Sequence, residues 1–424
     1  MHASFVVLIF GLTSSLAAAA PNKFKTAADS FVGGAGYNTS RVGPSNANCE
    51  RQTYHISTSA NNTAFVSALS KNTNETVREQ SFVDFIMSQM SLSSNFSEAY
   101  LASPATKLVA GTYSISGTLC TPKSGAHNAS QVQMLIHGVA WDSSYWDFVV
   151  GDNDTYSYVR ASADAGISTF AFDRLGNGLS EKPADPFGVL QAPTELAIVQ
   201  ELGRMLRNGS IGSKGQKFDQ VVGVGHSYGA ILVQAVTATA PDLFDAVILQ
   251  GFSTNGTALP ISLAGLAFTT ATTVFPDRFS PTELPEGYMA SSNPYAYQFA
   301  FFHYPGFTAD VAARVFETSQ PLAAGVMYTF GSLIQPAPNF TGPVHVVTGA
   351  KDLIFCLSNC YAVPSGSDAA SMLDLIQPEL YPNVPTSMFS TYIPADTGHL
   401  VNQQVSAPET YANMLNFVAS VFAV

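Results

Sequence analysis

The chain has 424 residues, of which 46% are hydrophobic and only 11% charged. That is enough apolar material for a sizeable core, and it excludes disorder over most of the length. A net charge of −12 with no basic block argues against nucleic acid or an anionic membrane surface as partner.

In chain order, residues 1–20 read "MHASFVVLIFGLTSSLAAAA". An apolar run from Phe5 to Leu12 followed by small residues has the form of a cleaved secretory signal. The run is too short to cross a bilayer, so a secreted, extracellular protein without a stable membrane anchor is expected. Nine N-x-S/T sequons agree with that compartment, at Asn38, Asn61, Asn74, Asn95, Asn128, Asn153, Asn208, Asn255 and Asn339. Residues 21–48, rich in Gly, Ser and Asn, are expected to form an irregular N-terminal arm.

"CERQTYHIST" and "GTYSISGTLCTP" are strands by their partial alternation. Antiparallel pairing brings Cys49, at the start of the first, beside Cys120, at the end of the second. Cys356 and Cys360 are close together in "CLSNC". No His lies at ligand spacing around either pair. Two disulfides and no metal are therefore expected, as suits an oxidising compartment. Between the two strands, "SFVDFIMSQM" has helical spacing.

From Gln131 onward short buried runs alternate with helical stretches. The runs are "QVQMLIHG", "STFAFDRLGNG", "QVVGVGHS", "DAVILQG", "PVHVVTGAKD" and "MFSTYIPADTGH"; the helices include "PTELAIVQELGRMLRNG" and "YGAILVQAVTATA". Near-continuous apolar strands between helices predict an α/β fold, a mostly parallel sheet with helices on both faces. About ninety residues separate the strand ending near Ser253 from the one beginning near Val344. That is too long for one crossover helix, so residues 254–341 are expected to form an inserted cap of several helices. The core is then residues 49–253 and 342–424.

"VGVGHSYGA" places Ser227 between Gly225 and Gly229, after a strand and before a helix. A strand that turns at once into a helix strains the residue at the turn and requires small neighbours. That is the G-x-S-x-G nucleophile elbow. A serine hydroxyl needs a base, and the base needs an orienting acid. Asp352 follows the strand "VHVVT", and His399 follows the next strand, so both fall at the carboxyl end of the sheet. Asp396, three residues before His399, is the competing acid. His303 falls in the cap and His345 inside an apolar strand. His226 neighbours Ser227 but should point away from it. Backbone donors for a tetrahedral oxyanion are expected at Tyr228, the residue after Ser227, and at Val139 or Ala140 after "MLIHG". His137, Gly138, Asp173, Arg174, Gly176 and Gly178 are expected to support turns.

The ordered set "LIHGVAWDSSYW", "FDRLGNGLS", "VGHSYG", "VTGAKD" and "TGH" resembles the α/β-hydrolase superfamily, over most of the chain after Gln131. Within it the pattern is similar to the branch with an HG-x turn and a cap between the sixth and seventh strands. The resemblance implies the α/β-hydrolase fold, with Ser227 as nucleophile, Asp352 as acid, His399 as base, and an oxyanion hole at Val139 and Tyr228. The stretch from Asp352 to His399, which carries "CLSNC", is long for that family.

Three functions follow. The first is a serine hydrolase acting on a small-molecule ester or lactone without cofactor. The apolar cap, with Phe301 and Phe302, then suits an apolar acyl or aromatic substrate. Asp at the elbow would have suggested an epoxide hydrolase or a dehalogenase; Ser227 argues against both. The second is a proline-iminopeptidase-like peptidase, which needs acids at its site. The cap holds few acids, mainly Asp277, Glu283, Glu286, Asp310 and Glu317, which counts against it. The third is a non-catalytic binding protein on the same fold.

Overall fold

The computed structural model describes residues 42–66, 75–90, 96–281 and 284–422. The expected signal segment, most of the N-terminal arm, Glu283, and the sequon residues Asn38, Asn74 and Asn95 lie outside them. The strands in chain order are β1 (Ala47–Phe65), β2 (Leu101–Pro122), β3 (Gln131–Ile136), β4 (Ser168–Phe172), β5 (Gln220–His226), β6 (Ala246–Gln250), β7 (Phe268–Thr270), β8 (Tyr288–Ser291), β9 (Leu322–Ala323), β10 (Val344–Val347) and β11 (Phe389–Tyr392).

Eight of these form one sheet, in the order β1-β2-β4-β3-β5-β6-β10-β11. From β4 to β11 every pairing is parallel; β2 joins β4 antiparallel. Every residue of β3, β4, β6 and β10 is buried, which is why these strands are nearly continuous apolar runs. Helices cover the sheet. Ala192–Asn208 and Tyr228–Thr239 pack side by side, while Tyr158–Asp164 and Ala407–Val421 form another packed pair. No described helix is long and apolar enough to cross a membrane.

β1 and β2 pair antiparallel, with Cys49 directly opposite Cys120, and the two are disulfide-bonded. Cys356 and Cys360 form the second disulfide. The six described sequon residues, Asn61, Asn128, Asn153, Asn208, Asn255 and Asn339, all reach solvent.

Two features go beyond the sequence expectation. Residues 254–341 are not helices alone: β7, β8 and β9 form a three-stranded antiparallel sheet among them. These strands have three, four and two residues, too short for alternation to show in the sequence. The second feature is where the expected helix between β1 and β2, Glu75–Gln89, packs. Its Phe82 meets Phe268 edge-on with centroids 6.1 Å apart, and Phe85 meets Tyr328 at 5.0 Å. Ser81 and Tyr328 share a hydroxyl hydrogen bond of 2.8 Å, and Arg78 is ion-paired to Glu286. The insertion thus packs on the 254–341 segment.

Candidate active site

β5 ends at His226, and the helix Tyr228–Thr239 begins two residues later. Ser227, between them, has φ 55° and ψ −120°, a backbone conformation that costs a non-glycine residue roughly 1–3 kcal/mol. The flanking glycines have a steric cause. A Cβ on Gly225 would strike the Gly229 carbonyl, and a Cβ on Gly229 would strike the Ile136 carbonyl of β3. The Ser227 N–H donates to the Gln250 carbonyl at 2.8 Å, which ties the turn to β6.

His399 follows β11 and is fully buried. Its Nδ1–H donates to Asp352 Oδ2 at 2.8 Å. This places the ring proton on Nδ1 and leaves Nε2 as an acceptor, with no partner among the described residues. The second Asp352 oxygen, Oδ1, accepts from the Phe355 N–H at 3.0 Å, capping the short helix Leu353–Cys356. Asp396 is exposed, and it is Asp352 that meets the imidazole. The His399 ring borders the end of β6: a Cβ on Gly251, next to Gln250, would lie 3.2 Å from His399 Cε1.

His226, next to Ser227, packs into the same corner beside Gly138. Its ring stacks on Tyr145 at 4.2 Å, and its Nε2–H donates to the His399 carbonyl at 3.1 Å. Burial, with His399 close by, pushes its pKa well below the ordinary histidine value, so the ring is neutral. His345 lies in β10, bonded to Ser390 and Asn413, away from the site.

The turn after β3 runs beside the elbow. A Cβ on Gly138 would sit 3.0 Å from the Ser227 Cβ. Neither the Val139 N–H nor the Tyr228 N–H donates to another backbone group among the described residues. The carbonyl of Ala140, the alternative donor residue, accepts from the Gln320 N–H at 2.8 Å. Ala140 has φ 65°, a second strained non-glycine residue in this corner. Asp173 supports the neighbouring loops, accepting from the Ser143 and Leu179 N–H groups at 2.9 and 2.8 Å. Gly176 and Gly178 have φ 85° and 50°, the tight turn expected of them.

The 254–341 segment closes over this corner. Phe301 stacks on the His399 ring with centroids 5.8 Å apart and meets Trp141 at 4.9 Å. Its carbonyl accepts from the Leu400 N–H at 3.0 Å. Phe302 separates from it: with His303 and Lys351 it lines an outer groove of about 420 Å³. Phe301 therefore faces the site, while Phe302 faces the groove. Among the described residues no group of three or more His, Cys, Asp or Glu side chains is placed to hold a metal ion.

Glu195 is a buried residue that the sequence does not mark, since an acid in the first turn of a helix is commonplace. It pairs with Arg174 at 2.6 Å.

A family model described as the alpha/beta hydrolase family matches residues 134–414. A comparison with curated protein sequences finds no match. Among solved structures, the chain is similar to a monoacylglycerol lipase from Paleococcus ferrophilus (13% identity, TM-score 0.45, covering 70% of this chain and 96% of that one). It is also similar to a hydrolase from Pseudomonas aeruginosa (16% identity, TM-score 0.48, 74% and 95% covered). A third is a thermophilic esterase from Thermogutta terrifontis (16% identity, TM-score 0.45, 73% and 95% covered).

Proposed function

The chain belongs to the alpha/beta hydrolase family, and from that premise we propose that it is a secreted serine hydrolase cleaving carboxylic esters or lactones through an acyl-enzyme. The observation that carries this reading is the His399 pair: Nδ1–H is held by buried Asp352, and Nε2 is left without a partner beside the end of β6, which also ties down the Ser227 turn.

Ser227 Oγ attacks the ester carbonyl carbon as its proton passes to His399 Nε2. The new oxyanion is held by the N–H groups of Val139 and Tyr228, each donor being worth about 3–4 kcal/mol of barrier. Collapse breaks the bond to the alcohol oxygen, which takes the proton from Nε2. Water, deprotonated by the same nitrogen, then attacks the acyl-enzyme and releases the acid. With a lactone the released alcohol stays attached to the acid. Residues 254–341 serve as the cap, and Trp141, Tyr297 and Phe301, packed edge-on around one another, favour an apolar or aromatic acyl group.

An aminopeptidase would need a carboxylate facing the site to hold the free amine. Asp277, Glu286, Asp310 and Glu317 are all exposed, which favours the ester reading. The test is a panel of p-nitrophenyl esters, lactones and aminoacyl-naphthylamides offered to the purified protein. Ester or lactone turnover is expected. It should vanish in folded Ser227→Ala, and a fluorophosphonate should label Ser227. Turnover confined to the naphthylamides, or label on another residue, would overturn the reading.

A further inference from the structure

We propose that the buried Arg174–Glu195 pair is a positioning device for the oxyanion hole, aligning both of its donors from one point; this rests on the reading of Val139 and Tyr228 as those donors.

Arg174 follows β4 and is 3% exposed, and Glu195, in the helix Ala192–Asn208, is 2% exposed. The guanidinium spends its donors in three directions. Nη1 binds Glu195 Oε1 at 2.6 Å, Nε binds the His137 carbonyl at 3.1 Å, and Nη2 binds the Gly138 carbonyl at 3.1 Å. The Arg174 backbone N–H also donates to His137 Nε2 at 3.0 Å.

The Gly138 contact bears on the first donor. The Gly138 carbonyl and the Val139 N–H belong to one planar trans peptide, so they point in opposite directions. Arg174, together with the His137 Nδ1–H at 2.9 Å that Arg174 itself orients, fixes the carbonyl and so aims the Val139 N–H the other way. A hydrogen bond at the carbonyl also polarises the N–H of the same peptide.

Glu195 reaches the second donor. Its Oε2 accepts from the Tyr228 hydroxyl at 2.8 Å, and the Arg174 guanidinium carbon stands 4.7 Å from the Tyr228 ring centroid. Tyr228 opens the helix after Ser227, so tethering its side chain steadies the N–H that faces the oxyanion. Buried ion pairs add little net stability compared with a packed apolar core. What this pair does supply is a rigid link between the loop after β3 and the helix after β5. Arg suits it because one planar group serves three acceptors, which a lysine ammonium cannot match in the same geometry.

The test uses Arg174→Lys, Glu195→Gln and Tyr228→Phe in the full chain, on a p-nitrophenyl ester turned over by the wild type. Three quantities are compared: kcat against KM, inhibition by a trifluoromethyl ketone that forms an oxyanion adduct, and inhibition by an ether analogue that cannot. In Arg174→Lys, kcat should fall by about 10–100-fold, with KM and the ether constant within about twofold. The ketone should weaken in parallel with kcat. Tyr228→Phe keeps the ion pair and the ring, so it reports on the hydroxyl link even if Arg174→Lys does not fold; about a 3–10-fold loss of the same pattern is expected. A lowered melting temperature with kcat and ketone affinity unchanged in the folded variants would make the pair a structural buttress and overturn the proposal. Failure of the underlying reading is distinct: fluorophosphonate would then label a residue other than Ser227 in the wild type.

Discussion

Asp352 and Asp396 show how a residue is chosen by direction and not by distance along the chain. Asp396 lies three positions from His399 yet points to solvent, while Asp352 arrives from the end of β10 and meets Nδ1. Replacing Asp352 by Asn leaves Oδ1 able to cap the Phe355 N–H but turns an amide donor towards Nδ1–H. The imidazole is then forced into the wrong tautomer, and a loss on the order of 10⁴-fold in turnover is expected. Asp396→Asn should retain most activity. Comparable losses in the two folded variants, measured on one ester, would remove Asp352 from the proposed triad.

His345 gives a residue-scale prediction about pH. Burial pushes its pKa down to about 4 from the ordinary 6.5. The unfolded chain therefore takes up a proton that the folded one refuses. The contribution of His345 to stability is complete above about 6.5 and is lost as pH falls towards about 4, a swing of about 3 kcal/mol. Asp142 has the opposite sign. Its pKa is raised to about 7, by burial first and by Asp173 second, so its contribution fades as pH rises through 7. His345→Gln removes only the first effect. The urea midpoint of the wild type relative to this variant should decline between pH 7 and 4.5, and a flat difference would contradict the assignment.

At the scale of elements, the elbow was legible because its constraint is local: Gly225, Ser227 and Gly229 lie within five residues. The structure adds the partner that makes Gly229 obligatory, the Ile136 carbonyl of β3. Gly229→Ala drives a methyl into backbone that cannot retreat, so a destabilisation of about 3 kcal/mol or more is expected from urea unfolding. The 254–341 segment was less legible. Its length was evident, but its small sheet and its contact with the helix Glu75–Gln89 depend on pairings between distant segments. The adjacent Phe301 and Phe302 also look equivalent in sequence. With Phe301 against His399 and Phe302 in the outer groove, Phe301→Ala should shift the acyl-chain-length profile and Phe302→Ala should not. Equal shifts in both would mean that the groove is part of the substrate path.

At the scale of the whole molecule the two disulfides do different work. Cys49–Cys120 spans a sequence separation of 71, and closing a loop of that size in the unfolded chain is worth about 4 kcal/mol. Cys356–Cys360 spans 4, worth about 2 kcal/mol on the same basis. It closes the segment directly after Asp352, where the Cys360 N–H donates to the Ala350 carbonyl at 3.2 Å. Replacing the first pair by serines should lower the urea midpoint more, and replacing the second should lower turnover more. The opposite order in either measurement would refute this division.

By itself the sequence determined the alternation of buried strands and helices, the tight Gly-x-Ser-x-Gly turn at Ser227, the placing of Asp352 and His399 after successive strands, and the opposition of Cys49 and Cys120. Each rests on local backbone preference, on burial periodicity, or on a register that two amphipathic strands impose. Tertiary structure alone decided which of two adjacent phenylalanines faces the site, and that Arg174 and Glu195 meet between the β3 turn and Tyr228. Those outcomes depend on directions across assembled layers, where packing and the demand that every buried charge find a partner select among side chains that local sequence leaves equivalent.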